Sequence, residues 1–297
     1  MMYIIETALE LGFLYALVPL ALFLSYRVLD IADLTTDGSF VLGCAVSVSV
    51  AAGGHPFLAI PMAIAAGIAA GFVTAFLQTR MGVPSILAGI ITNTGLYTIN
   101  LMAMGWRANV SLLKQDTIFT IFKDAQIVSG WHEVIVGAVV AISITILLIV
   151  FLKTGLGLSI RATGDNVHMV SSSSINPKFT ITIGLCIANG LTALSGALVG
   201  QAQKTADINS GTGIVVIGLA CLVIGETIVG RKKMAFAAFA AVIGSIIYRL
   251  MYAIVLMTGV VQVEGLKLAT AVIVAVAIAA PTIKEQMAQR KNRLAAR

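Results

Sequence analysis

"LDIADLTTDGSFVLGC", residues 29–44, places three carboxylates and two threonines between two long apolar runs. Polar backbone and carboxylates at membrane depth are tolerated only where they meet water or other protein groups. Gly38 then opens the second apolar run. A polar, glycine-containing hinge in this position predicts the mouth or gate of a polar pathway through a membrane protein.

The rest of the chain has the composition of a polytopic membrane protein. Hydrophobic residues make up 59% of the 297 residues and charged residues 11%, with a mean hydropathy of +1.00. A soluble domain has about 25% charged residues. Because lipid offers no hydrogen bonds to the backbone and no barrel-type alternation is present, the spans should be helices. We predict an all-α polytopic membrane helical bundle.

Nine apolar runs are candidate spans, and they are residues 7–26, 38–52, 57–77, 86–104, 134–152, 179–199, 214–229, 234–261 and 268–280. A helix needs roughly 20 residues to cross the hydrocarbon core, so the second, seventh and ninth runs are short or broken helices. If run 38–52 crosses fully, the bundle has nine transmembrane helices and an external N-terminus. If that run is re-entrant, it has eight and an internal N-terminus.

Basic residues orient the bundle. They concentrate at Arg80, in the segment 153–178, at 231–233 and in the tail 282–297. These regions fall on one side if the spans alternate, and the positive-inside rule makes that side the cytoplasm. We therefore predict one transmembrane domain, residues 1–281, followed by a basic cytoplasmic tail. A basic inner face suits anionic membrane lipid, and no nucleic-acid partner is needed to explain the charge.

The external stretch 105–130 is too apolar for a free loop. Its apolar residues alternate with charged and amide residues between positions 112 and 123. This pattern predicts an interfacial amphipathic helix. A binding surface for an external partner and a lid on the membrane surface fit the residues equally well.

The segment "KTGLGLSIRATGDNVHMVSSSSINPKF", residues 153–179, lies on the predicted cytoplasmic side. Its first part can form a short helix with a break at Gly164, its serine-rich part is a turn, and Pro177 can begin the next span because a helix needs no N–H there. A short helix between two spans is a suitable place for another protein to push. An ordinary structured loop is the alternative.

Several polar groups are expected inside the membrane. Arg249 lies 15 residues into the run that begins at Met234, and an unpaired charge there costs at least about 2.5–3.5 kcal/mol. It should face a wet cavity or a carboxylate, and the sequence leaves a structural ion pair and a pathway contact open. The candidate carboxylates are Glu226, Asp207 and Asp37. Four amides should bond across helices, and they are Asn93, Asn100, Asn189 and Gln201.

A weak internal echo links two short runs. "TDGSFVLGC" (36–44) and "GTGIVVIGLAC" (211–221) each place one glycine after a polar lead and another glycine five residues later, at positions 38 and 43 and at positions 213 and 218. Paired short, glycine-containing segments in two halves of a chain indicate a transport site near the midplane.

No catalytic or energy-converting site is visible in the sequence. The phosphate-binding pattern GxxxxGK[ST] is absent, and neither the three cysteines nor the three histidines have the spacing of a metal site or a catalytic dyad. We predict neither an enzyme nor a bound cofactor or metal. If the protein moves a solute, the energy comes from an ion gradient or from another subunit.

Three stretches resemble the permease subunits of bacterial ABC importers in the branched-chain amino acid and ribose class. "GLGLSIRATGDNVHMVSSSSINPKF" is similar to the coupling segment of that class, "LDIADLTTDGSF" to the polar lead of its second segment, and "NGLTALSGALVGQ" to its span after the coupling segment. Two further stretches, "ILAGIITNTGLYTINLMAMG" and "IIYRLMYAIVLMTGVVQVEGLKLATAVIVAVAIAAP", resemble tryptophan/tyrosine-type amino-acid import permeases. The class usually has glycine before the Ile-Asn of its turn, where this chain has Ser174.

The resemblance implies a homodimeric permease in the bacterial inner membrane, driven by a cytoplasmic ABC ATPase and supplied by an extracytoplasmic solute-binding protein. It implies a cytoplasmic coupling helix, and the residues assigned to ATPase coupling are Arg161, Ala162, Gly164, Asp165, Asn166 and Asn176. For the translocation path we predict Asp37, Gly38, Ser39, Asn93, Asn100 and Arg249. An ion-coupled secondary transporter and a membrane scaffold remain the alternatives.

Overall fold

A computed structural model describes residues 2–113, 115–124, 131–230 and 234–258, together with Ala275 and Ala279. The helices are α1 (Met2–Tyr15), α2 (Leu17–Leu22), α3 (Thr36–Ala52), α4 (Pro56–Thr79), α5 (Ser85–Ala103), α6 (Ile118–Asp124), α7 (His132–Lys153), α8 (Gly155–Asp165), α9 (Val167–Ser172), α10 (Pro177–Gln203), α11 (Ile214–Val229) and α12 (Met234–Thr258). A π-helical segment, Phe23–Val28, continues α2, and two short strands, β1 (Asn109–Ser111) and β2 (Thr205–Asp207), pair antiparallel.

The predicted all-α membrane bundle is confirmed. Among the described residues, six helical stretches are long and apolar enough to cross a membrane: Ile4–Val28, Pro56–Thr79, Ser85–Ala103, Glu133–Lys153, Pro177–Gln203 and Met234–Met257. The runs predicted to be short form the shorter helices α3 and α11. The run 268–280 lies outside the described residues apart from two positions, as does the tail, so the count of eight or nine spans stays a prediction.

Helix α10 is central, and small residues let other helices approach it closely. A Cβ atom at Gly196 of α10 would overlap the carbonyl oxygen of Phe40 in α3, and one at Gly43 of α3 would overlap the carbonyl of Ala193. Small residues at membrane helix interfaces allow this backbone contact because lipid supplies no hydrophobic drive between helices. The crossing of α3 and α10 therefore fixes the middle of the bundle.

The bundle has two distinct ends. At the α8 end, Gly164 packs against the backbone of Val28 and Leu29, just beyond α2. At the sheet end, β1 and β2 pair after α5 and α10 have run the length of the bundle. Because the first span finishes beside α8, the N-terminus of α1 lies at the sheet end.

The single interfacial helix predicted for residues 105–130 is wrong in the described part of that stretch. The chain forms β1 and then the seven-residue α6. Leu112, Ile118 and Phe119 are buried in the protein, and the Ile118 amide donates to the Gln201 side-chain oxygen at 3.0 Å. Leu112, Ile118 and Phe119 therefore cover the bundle itself, whereas Leu113 and Ile121 are exposed.

The predicted helix break at Gly164 is also wrong. Helix α8 continues through Gly164 to Asp165, and the break falls at Asn166. The Asn166 side-chain oxygen accepts from the amides of His168 and Met169, both at 3.0 Å, and so caps α9. Asparagine is among the best N-cap residues, whereas Gly164 serves the close contact with the first span.

Candidate functional site

A cavity of ≈340 Å³ lies between the beginnings of α3 and α11 and one side of α5. Its wall consists of Asp37, Gly38, Val41, Asn93, Thr94, Tyr97, Asn100, Ile208, Asn209, Gly211 and Thr212. Among the described residues of this wall, Asp37 is the charged side chain, and most of the others offer amide or hydroxyl groups. A carboxylate surrounded by amides and hydroxyls suits a small polar solute that bears an ammonium group, because opposite charges attract strongly in a partly desolvated site.

The carboxylate of Asp37 joins α3 to α11 at this cavity. Its Oδ2 accepts from the Gly213 amide at 3.1 Å, and its Oδ1 accepts from the Val215 amide at 2.8 Å. A carboxylate at a helix N-terminus satisfies free N–H groups and complements the helix dipole. The two segments of the sequence echo therefore meet at their polar leads, with Gly211 close against the Asp37 carbonyl.

Helix α5 also contacts the beginning of α3 at this cavity. The Asn100 side-chain nitrogen donates to the Gly38 carbonyl oxygen at 3.2 Å. Four of the predicted path residues, Asp37, Gly38, Asn93 and Asn100, thus line one cavity. Their role in translocation stays a prediction.

The other two predicted path residues lie elsewhere. Ser39 is fully buried, and its hydroxyl donates to the Asn189 side-chain oxygen of α10 at 2.6 Å. The guanidinium of Arg249 lies 3.7 Å from the centre of the Tyr15 ring. Neither side chain is part of the cavity wall.

The carboxylate partners proposed for Arg249 are wrong within the described residues. Glu226 pairs with Arg27 at 3.3 Å, Asp37 caps α11, and Asp207 accepts from the Asn109 side chain at 3.3 Å. Arg249 instead faces an aromatic ring, whose negative face stabilises a desolvated guanidinium by about 1–2 kcal/mol. The sequence could not show this contact because Tyr15 is more than two hundred positions away.

The residues predicted to couple to an ATPase lie together at the α8 end, and their role in coupling stays a prediction. Arg161 and Ala162 are half-buried within α8, and Asp165 is exposed at its last position. Asn166 caps α9, and the Asn176 side-chain oxygen accepts from the Lys178 amide at 3.0 Å and so caps α10. The two asparagines therefore shape the segment, while Asp165 is available to a partner.

The same segment exposes apolar side chains. Leu158, Met169 and Phe179 are each more than half exposed, and Leu156 and Val167 are exposed to a similar degree. Four of them lie in α8 and α9, outside the spanning helices, and Phe179 lies in the first turn of α10. Exposed apolar residues in such a segment are typical of a protein interface. We call these five side chains, with Asp165, the α8–α9 surface.

Replacing Ser174 by glycine is expected to stabilise the protein, because Ser174 has φ of +60°. A left-handed conformation costs an L-residue about 1–2 kcal/mol, which glycine avoids. We expect the midpoint of thermal unfolding to rise by about 1–3 °C after the entropic cost of glycine is subtracted. The matched variant Ser173→Gly, at φ of −96°, should lower the midpoint. A lower midpoint for Ser174→Gly would contradict this reading of the turn.

Sequence reasoning missed part of the site. Tyr97 lies on the same helical face as Asn93 and Asn100, since the three are spaced i, i+4 and i+7, and that periodicity could have identified it. The segment 208–212 lies between two candidate spans, yet it returns to the start of α3 and forms part of the cavity wall. The sequence echo was the only local signal of this return.

Comparison with known proteins identifies the family of the chain. Residues 4–281 match the family described as the permease component of branched-chain amino acid transport systems. The chain belongs to this family, and it is a permease component of an ABC-type transporter.

Several relatives cover most of the chain. A tyrosine transport system permease protein of Clostridioides difficile is 35% identical over 261 residues, which are 87% of this chain and 85% of that protein. The guanosine ABC transporter permease protein NupP of Bacillus subtilis is 25% identical over 73% of this chain and 66% of its own length. The structure of PsaBC from Streptococcus pneumoniae in complex with Fab superposes with a TM-score of 0.54 at 14% identity, covering 92% of this chain and 89% of that one, which shows a shared fold.

Proposed function

We propose that this chain is the membrane permease of an importer for a small solute, and that the solute is an amino acid of aromatic type. A separate cytoplasmic ABC ATPase drives it, and an extracytoplasmic solute-binding protein delivers the solute. The observation that supports this most is the α8–α9 surface. The two helices that carry it are capped and are attached to the first span and to α10. The 35% identity to a tyrosine transport permease supports the choice of an aromatic amino acid.

The orientation follows from the charge distribution. Arg80 and the segment 153–178 lie between spans on the same side, and the positive-inside rule places that side in the cytoplasm of the bacterial inner membrane. The α8 end is then cytoplasmic, and the basic tail with the C-terminus follows it. The N-terminus at the sheet end is then external, which is the arrangement of nine crossings.

A second copy of the chain completes the pathway in this proposal. Thr94, Tyr97 and Thr98 on α5 are exposed although they lie within a spanning helix. The Thr94 hydroxyl donates to the Ile90 carbonyl oxygen at 2.8 Å, whereas a Tyr97 or Thr98 hydroxyl that faced lipid would find no hydrogen-bond partner in hydrocarbon. A homodimer that covers this face would put the cavity beside the interface and shield these groups.

Reconstitution tests the proposal. The permease, its ATPase and its binding protein in liposomes should take up labelled tyrosine only when ATP and binding protein are both present. An ATPase without its phosphate-binding lysine is the control, and an ionophore that collapses ion gradients should have no effect. Gradient-driven uptake by the permease alone would instead establish the ion-coupled alternative, and no solute movement under any condition would favour a scaffold.

Two substitutions at Asp37 are expected to separate capping from charge. Asp37→Ala should lower the free energy of unfolding by about 1–2 kcal/mol, because two backbone donors of α11 lose their acceptor. Asp37→Asn should lose less stability than Asp37→Ala, because its single side-chain oxygen can still accept from one of the two amides. Both should lower uptake of a zwitterionic amino acid about tenfold, equivalent to ~1.4 kcal/mol. Wild-type uptake in Asp37→Asn would exclude recognition of the ammonium group at this carboxylate.

A further inference from the structure

A chain of buried polar groups joins α10 to the start of α3. The Asn189 side-chain nitrogen donates to the Asp33 carboxylate at 2.7 Å and to the Leu185 carbonyl at 3.0 Å, and its oxygen accepts from the Ser39 hydroxyl at 2.6 Å. Asn189 is 1% exposed, Asp33 3% and Ser39 0%. The amide therefore uses both of its N–H groups and its oxygen in bonds that water does not reach.

The chemistry of this position is restrictive. Asn189 donates to a carboxylate and accepts from a hydroxyl at the same time, which a side chain that only donates or only accepts cannot do. An aliphatic residue would leave Asp33 and Ser39 without these partners in a dry site, where each loss is costly. Two bonds thus tie α10 to both sides of the polar hinge that begins α3.

The tie lies between the α8–α9 surface and the cavity. Helix α10 begins at Pro177, directly after the coupling segment, and the hydroxyls of Thr163 in α8 and Thr180 in α10 are 2.7 Å apart. Asn189 is 12 residues into α10, or about 18 Å along its axis. On α3, Ser39 directly follows Asp37 and Gly38, which are part of the cavity wall.

The remaining hydrogen bonds between α3 and α10 lie further towards the sheet end. The Ser47 hydroxyl donates to the Ala197 carbonyl at 3.2 Å, and Gln201 donates to Ser47 at 3.0 Å. Between these two groups of hydrogen bonds, α3 and α10 are in contact through Gly43 and Gly196, each packed against backbone atoms of the other helix. The Asn189 tie is therefore the directional link nearest the coupling segment and the cavity.

We propose that Asn189 is a positioning residue that holds the start of α3 to α10, so that displacement of the coupling segment moves Asp37 and Gly38. This inference rests on the proposed function, because it assumes that a partner pushes on the α8–α9 surface. A rigid link is what converts that push into a change at the cavity, since coupling requires one element whose position both sites affect. The link acts through α3 and does not contact the solute.

The test compares matched serine variants in the reconstituted complex. Ser39→Ala removes the bond from Asn189 to α3 and leaves the bond to Asp33 in place. Ser47→Ala removes bonds between the same two helices, from another fully buried serine far from the coupling segment. Each variant is scored by the number of solute molecules taken up per ATP hydrolysed, after melting temperature and ATPase co-purification have been measured.

We expect Ser39→Ala and Asn189→Ala to lower the solute transported per ATP by a factor of about 5 to 150, the range of ordinary coupling energies. Ser47→Ala should keep the wild-type ratio. Because Ser39 and Asn189 act as one unit, the double variant should be no worse than Asn189→Ala alone.

The wild-type ratio in Ser39→Ala and Asn189→Ala would overturn the inference, and so would an equal loss in Ser47→Ala, since any lost helix contact would then have the same effect. If the wild-type complex shows ATP-dependent uptake, either of these results overturns only the role of Asn189, and the proposed function stands. A wild-type complex without ATP-dependent uptake would overturn the proposed function and this inference with it.

Discussion

Reversing the charge of Asp165 or of Arg161 is expected to abolish ATP-driven uptake, by about 100-fold or more, while the permease still inserts at its normal abundance. Asp165 is the exposed last residue of α8, and Arg161 is half-buried one turn earlier on the same helix. A reversed side chain would face a charge of the same sign on the docked partner. Such like-charge contacts at an interface cost several kcal/mol, which is enough to prevent docking. Because neither residue is fully buried, the fold should tolerate both changes.

Three measurements on Asp165→Lys and Arg161→Glu check this expectation: membrane abundance, co-purification of the ATPase, and uptake in liposomes. Arg107→Glu is the matched control, because Arg107 is an exposed arginine at the sheet end. The Arg107→Glu permease should still co-purify with the ATPase. Normal uptake in both Asp165→Lys and Arg161→Glu would exclude this segment as the coupling site.

Adding one methyl group at Gly196 is expected to prevent accumulation of the folded protein. The new Cβ would overlap the Phe40 carbonyl oxygen, and backbone cannot rotate away as a side chain can. Overpacking of a close-packed interior costs about 1–3 kcal/mol when side chains can adjust, so a backbone clash should reach at least the upper end. A loss of at least about 3 kcal/mol removes more than half of a total stability at the lower end of the usual range of about 5–15 kcal/mol.

Folded protein after extraction in mild detergent, measured by size-exclusion chromatography and thermal unfolding, tests Gly196→Ala. The matched control is Gly95→Ala in α5, where a Cβ would meet no atom within 4 Å. That control should be neutral or slightly stabilising, because alanine is favoured over glycine in helices by about 1 kcal/mol. A wild-type melting profile for Gly196→Ala would show that α3 and α10 do not cross as described.

Most of the bundle could be predicted because hydrophobicity and length determine where helices cross a membrane. Even the short runs at α3 and α11 were visible, since both are too short to span and both follow a polar, glycine-containing lead. That the two leads meet at Asp37 was indicated only by the weak echo. The contact itself depends on the return of segment 208–212 into the bundle, which no local pattern encodes.

The errors have a common physical origin in contacts that are distant in sequence. The stretch after Met104 alternates like a surface helix, but Leu112, Ile118 and Phe119 are buried in the protein. Arg249 was expected to face a wet cavity or a carboxylate, and among the described residues it stacks on Tyr15. The Asn189 side chain was expected to bond across helices, and it does so, but its partners, Ser39 in α3 and Asp33 just before α3, could not be inferred from α10 alone.

Site-specific photo-crosslinking in the intact transporter tests most directly whether a nucleotide-driven subunit docks on residues 153–178. A photoreactive residue in place of Met169, which is 57% exposed, should form an adduct with the ATPase. The same residue in place of Leu113, which is 81% exposed near the sheet end, should not. Adducts with the ATPase from position 113 and none from position 169 would contradict the account.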